Sequence, residues 1–280
     1  MKEMKYANNY RVLFVLIIAL AILSTLVGLI CNNFYQNALF DLTIKARFYD
    51  LALLVIVIPI CLITEILIVK KNDLSMIFSL GITVYLFFSY GVTVFTYNQN
   101  ILFLVYISIL VLCSFFFIQG FFEADKTILF VINRKDKVIA ASILLFSAIS
   151  GFGYWLVDAV ILTFQTLSIT ESLNVKPPQV FDMVFTLPFS IYGSIRLLRN
   201  KNDGVLISMI MTVFFIFIAI SVVIMEVGYS LYTRTELDYG KIISYFVITA
   251  LNIINALNLY RKVGIERLVV KNQDEHLLKS

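Results

Sequence analysis

The chain is poor in the residues that carry most catalytic and redox chemistry. Its one histidine, His276, sits near the C-terminus of 280 residues. Haem ligation by histidine pairs, HExxH zinc sites and serine–histidine–aspartate triads all need a histidine in the site, so these classes are excluded. The three cysteines, Cys31, Cys61 and Cys113, lie in or at the ends of apolar stretches and form no CxxC spacing. Free cysteine is buried readily as a small apolar side chain, and packing is the expected role of all three.

Charge is equally scarce. Only 14% of the residues are charged, where soluble domains carry about 25%. With a mean hydropathy of +0.92, this excludes an ordinary soluble domain, a disordered chain and a disulfide scaffold. No GxSxG, P-loop, GxGxxG or aspartate-rich prenyl-diphosphate motif occurs. No catalytic residue, metal site or cofactor is therefore predicted.

What the chain does have is apolar length. Hydrophobic residues make up 60% of it, and a membrane helix needs about 20 of them. Polar breaks divide the sequence into eight candidate spans, over residues 11–31, 50–69, 74–96, 101–122, 138–161, 182–198, 205–227 and 241–260. The predicted fold is all-α and polytopic. The apolar run after Lys2, Lys5 and Arg11 is longer than the core of a signal peptide, so it is expected to stay as the first span.

Basic residues fix the expected orientation. With the N-terminus inside, only Lys45, Arg47, Lys176, Arg234 and Lys241 of the 22 lysines and arginines fall outside. That alternation follows the positive-inside rule and predicts both termini in the cytoplasm. The net charge of +4 needs no nucleic-acid partner, because cytoplasmic helix ends face anionic lipid.

The two halves of the sequence resemble each other. Phe48-Tyr49-Asp50 leads a span that ends in Lys71-Asn72-Asp73, and Val180-Phe181-Asp182 leads one that ends in Lys201-Asn202-Asp203. Each of these spans carries a proline, Pro59 and Pro188, expected to kink it. Residues 1–137 and 138–262 then form two parallel four-span halves related by an axis along the membrane normal, followed by a cytoplasmic tail, 263–280.

Ionisable residues within spans are costly and face the bundle interior or water. Asp50, Asp158, Asp182 and Glu226 are expected near the outer ends of spans 2, 5, 6 and 7. There they would form an acidic mouth for a cation, an amine or a proton. The competing role is structural. Asp50 and Asp182 begin their predicted spans, where a carboxylate caps helical amides. Glu65 is expected further in, snorkelling or paired with Lys70 or Lys71. Asn252, Asn255 and Asn258 share one drifting face of span 8, as helix adhesive or as a polar pathway. Tyr90, Tyr97, Tyr154, Trp155, Tyr229 and Tyr232 are expected in an interfacial aromatic belt.

Four stretches resemble a group of uncharacterised bacterial multi-pass membrane proteins. They are Phe48-Tyr49-Asp50 to Pro59, Tyr85–Gly91 (YLFFSYG), Asn100 to Tyr106, and Asp182 to Pro188 with the basic turn after it. The resemblance implies an all-helical fold in a bacterial plasma membrane and singles out Asp50, Asn100, Tyr106 and Asp182. It implies no activity. Two functions compete: a small-solute or ion-coupled transporter with an outward-facing polar pocket, and a non-catalytic accessory, assembly or sensor protein that binds a membrane partner through helix contacts. An intramembrane enzyme acting on lipid is the third.

Overall fold

The computed structural model describes residues 7–31, 40–69, 73–96, 101–166, 177–262 and 264–267. Eight helical segments are long and apolar enough to cross a membrane. They are span 1 (Tyr10–Ile30), span 2 (Asp41–Val69), span 3 (Leu74–Thr96), span 4 (Phe103–Asp125), span 5 (Arg134–Val157), span 6 (Pro177–Leu198), span 7 (Asn202–Thr233) and span 8 (Tyr239–Arg261). A single two-stranded antiparallel ribbon, β1 (Ile128–Val131) with β2 (Gly264–Arg267), is the extended structure among the described residues.

Several helices run past the predicted breaks. Span 2 is helical from Phe40, so Asp50 lies well inside it. Span 6 begins at Pro177, ahead of Asp182. Neither aspartate therefore caps a helix start. Asp158 falls on the helix Arg134–Thr166, short of its end, and its side chain lies outside the described residues. Glu226 likewise precedes the end of its helix, Asn202–Thr233.

Polar contacts fix which helix ends lie together. Around the ribbon, Tyr10 at the start of span 1 donates to Glu123 at the end of span 4 (3.1 Å). Asn202 at the start of span 7 accepts the Phe130 amide (2.9 Å) and donates to the Asp125 carbonyl (3.3 Å). Lys137 of span 5 reaches Asn200 after span 6 (2.8 Å). At the opposite end, the starts of spans 2, 6 and 8 meet the ends of spans 1, 3, 5 and 7.

Spans 3 and 7 form the centre. They have 72% and 67% of their apolar windows buried, against 22–39% for the other six. Their small polar residues explain the position, because hydroxyls in hydrocarbon need protein partners. Ser79, Thr83, Ser208 and Thr212 are fully buried. Thr83 donates to the Ser79 carbonyl (2.8 Å) and Thr212 to that of Ser208 (2.7 Å). Around this pair, span 1 packs on spans 2 and 4, span 2 on span 3, and span 3 on span 4. Span 5 packs in the same way on spans 6 and 8, span 6 on span 7, and span 7 on span 8.

The prolines act one turn earlier than a simple kink. A π-helical turn covers Leu53–Val57 before Pro59, and another covers Asp182–Thr186 before Pro188. The Ile58 amide donates to the Leu53 carbonyl, and the Leu187 amide to that of Asp182. Proline has no amide hydrogen. The carbonyls of Leu54 and Met183 therefore lose their helical donor in both the α and the π register. An offset of 129 residues relates Leu53 to Asp182, Pro59 to Pro188, Ser79 to Ser208 and Thr83 to Thr212. In that register Asp182 stands opposite Leu53, and Asp50 opposite Gln179.

Candidate functional site

Span 6 carries polar side chains four residues apart, at Asp182, Thr186, Ser190 and Ser194. That spacing keeps them on one helix face, and the last three are buried. Ser194 donates to the Ala141 carbonyl of span 5 (3.4 Å). Ser190 Oγ is buried and meets no partner among the described residues. The same positions of span 2 hold Leu53, Val57, Cys61 and Glu65. The outer three of these are apolar and buried.

Asp182 sits at the mouth of this stripe, on the first residue of the π turn. Its Oδ2 accepts a hydrogen bond from the indole Nε1 of Trp155 on span 5, at 2.7 Å. Gln179 Nε2 donates to the Trp155 carbonyl (3.2 Å), so the two helix ends are tied twice. Below Asp182 is a cavity of about 40 Å³ among spans 5, 6, 7 and 8. Its polar lining comes from Asp182, Ser147, Thr186 and Tyr245, and its walls include Gly151 and Phe214.

The cavity continues into a buried polar column. Asn252 Nδ2 donates to Ser147 Oγ (2.8 Å) and to the Ile248 carbonyl (2.9 Å). Asn255 Nδ2 donates to Thr212 Oγ1 (2.9 Å). Both amide oxygens are buried and meet no donor among the described residues. Asn252 and Asn255 are fully buried, whereas Asn258 is half-exposed. Interhelical hydrogen bonds in a membrane contribute about 0.6 kcal/mol on average and up to about 2. Asn255→Ala is thus expected to lower stability by about 1 kcal/mol, read by chemical or thermal unfolding in micelles. A variant as stable as wild type would remove the span 7–span 8 bond from the account.

Among spans 1–4 a set of tyrosines is buried. Tyr49, Tyr85 and Tyr90 point their hydroxyls at serines: Tyr49 to Ser89 (2.7 Å), Tyr85 to Ser221 across the centre (2.7 Å), and Tyr90 to Ser24 (2.6 Å). Tyr106 is buried with its ring 5.7 Å from that of Tyr90. Tyr90 is therefore an interior residue rather than part of an interfacial belt. Tyr232 is exposed, as a belt requires.

Of the four expected carboxylates, Asp50, Asp182 and Glu226 have described side chains, and each stands in its own surroundings. Asp182 lines the cavity among spans 5–8. Asp50 is half-buried on span 2, and spans 2 and 6 share no extended contact. Glu226 is neutralised instead of free, because its Oε1 accepts from Nζ of both Lys241 and Lys45, the latter at 3.4 Å. Lys45 also lies over the Tyr229 ring (4.7 Å), and Tyr229 donates to Asp41 (2.9 Å). Glu65 pairs with Arg11 of span 1 (2.9 Å). The expected partners Lys70 and Lys71, together with Asn100 and Tyr97, lie outside the described residues, as does the side chain of Tyr154.

The span-6 stripe was legible as an i, i+4 pattern but was not read from the sequence. The Trp155–Asp182 bond and the tyrosine–serine set depend on helix rotation, which no sequence feature carries. Among the described residues, no group of histidine, cysteine, aspartate and glutamate has the geometry of a metal site. Comparison with protein-family models, with curated proteins and with solved structures returns no match.

Proposed function

We propose that this multi-pass membrane protein is a small-solute or ion-coupled transporter of a bacterial plasma membrane, with its site inside the second four spans. The observation that carries the reading is the polar cavity at Asp182, set on a π turn ahead of Pro188. An ionisable residue within a span marks an ion or substrate path by default. Interrupted helices, with carbonyls released from the helical ladder, form such sites in transporters. The Met183 carbonyl is released in this sense, and Asn252 and Asn255 extend the polar lining inward.

The internal repeat supports the same reading. Matching π turns, prolines and span contacts fit two parallel halves, and the clustering of lysine and arginine at the ribbon end fits cytoplasmic termini. Spans 1–4 bury tyrosines bonded to serines, and spans 5–8 line the cavity at Asp182, an arrangement that suits a scaffold half and a working half.

Thermal unfolding of the purified protein tests the reading against a panel of cations, amines and lipids. A ligand that binds only the folded state stabilises it, by about 2.7 kcal/mol at a hundred times its Kd. One member of the panel is expected to raise the unfolding temperature of wild type and not that of Asp182→Asn. Indifference of wild type to the whole panel would overturn the proposal.

A further inference from the structure

Resting on the reading of Asp182 as the working site, we propose that Asp182, Ser147, Thr186 and Tyr245 bind one largely dehydrated monovalent cation of alkali-metal or ammonium size. Size decides the first part. A water needs about 10–15 Å³ of such space, so the cavity of about 40 Å³ takes about three or four water-sized species. A sugar, an amino acid or a lipid headgroup does not fit wholly within it. Donor chemistry decides the second. One carboxylate and three hydroxyls are hard oxygen ligands, suited to hard cations and not to thiolate- or imidazole-seeking metals.

Charge decides the third part. Among the described residues Asp182 is the one carboxylate in the lining, so it balances a single positive charge. A divalent ion would leave one charge uncompensated among Phe214, Phe215, Ile218 and Ile248, and buried unpaired charge is costly. The positions of span 2 that match Asp182, Thr186 and Ser190 hold the apolar side chains of Leu53, Val57 and Cys61. This ligand set is not repeated there, and one cation per chain is expected.

The chain carries its own reporter. Trp155 is its one tryptophan, and its indole donates to the carboxylate that would hold the ion. The test is a fluorescence titration of the full chain in detergent micelles. LiCl, NaCl, KCl and NH4Cl are added in turn against N-methylglucamine chloride at fixed ionic strength. At least one of them is expected to give a saturable emission change with one site per chain. Asp182→Asn and Gly151→Leu are expected to lose it, and Tyr49→Phe to keep it.

Gly151→Leu guards against a folding defect. Gly151 lines the cavity, and a Cβ there meets nothing within 4 Å, so a larger side chain starts without a clash at its root. No saturable response to any of the four salts overturns the proposal, and so does an equal response in a folded Asp182→Asn or Gly151→Leu. The parent reading fails separately. Stabilisation by an organic solute, with no cation response, leaves the transporter and removes this site. Cation binding without flux in vesicles does the reverse.

Discussion

Gly81→Val is expected to cause a large loss of stability. A Cβ at Gly81 would lie 2.5 Å from Val213 Cβ, 2.8 Å from its Cγ1 and 2.9 Å from the Ile210 carbonyl oxygen. Two of those atoms are fixed to the backbone of span 7, so no rotamer change relieves the contact. Small residues let membrane helices approach this closely. Overpacking a tight site costs about 1–3 kcal/mol and occasionally more. Here the upper end is expected, because spans 2, 6 and 8 all pack on span 7 and would have to move with it. Gly81→Ala should act in the same direction and by less. Gly151→Ala is the control. It meets open space, and alanine exceeds glycine in helix propensity by about 1 kcal/mol, so no loss is expected. Thermal unfolding of the three variants reads the series. A Gly81→Val protein as stable as wild type would refute the central crossing of spans 3 and 7.

The second large effect is expected at Glu226. Its carboxylate serves two ammonium groups, Lys45 of span 2 and Lys241 of span 8. The side chains are 29%, 22% and 12% exposed for Lys45, Lys241 and Glu226. Removing one partner of a fully buried ion pair costs about 3–5 kcal/mol. Partial solvent access reduces that here, and Glu226→Gln is expected to cost about 2 kcal/mol. The loss comes from two like charges left facing each other, so a second change should relieve it. Glu226→Gln with Lys241→Met is expected to be more stable than Glu226→Gln alone. If the double variant is the weaker of the two, the cluster is not electrostatic in origin and the account of this end of the bundle is wrong.

The same cluster explains which part of the fold the sequence revealed. Hydropathy found eight spans because each is a long apolar run, whether largely exposed as in span 8 or largely buried as in spans 3 and 7. It cut span 2 at residue 50 because Asp41, Lys45, Arg47 and Asp50 read as loop composition. The structure keeps that stretch helical and answers its charges from elsewhere: Asp41 by Tyr229, Lys45 by Glu226, and Arg47 by the Cys31 carbonyl (3.5 Å). A window average registers the cost of a charge and not its partner on another helix.

The prolines were a partial signal of the same kind. Pro59 and Pro188 announce a missing amide, but whether the chain bends or takes up a π turn depends on how neighbouring spans hold it. Pairing Asp50 with Asp182 gives an offset three residues longer than the one that the π turns and prolines share. Asp182 stood out in the sequence as an intramembrane carboxylate. Its cavity did not, because Ser147, Thr186 and Tyr245 come from three other turns and two other helices, and a helix's rotation about its axis is set only when it packs.

Ion movement past Asp182 is the central expectation. The most direct measurement is flux of the cation identified by the tryptophan titration, in proteoliposomes that hold the full chain under an imposed gradient of that cation. Wild type is expected to move the ion, alone or with a co-solute, faster than protein-free vesicles. Folded Asp182→Asn and Gly151→Leu, incorporated to the same level, are expected to fall to the protein-free rate. Flux in either variant equal to that of wild type, or no flux above protein-free vesicles in wild type, would contradict a transport site at Asp182.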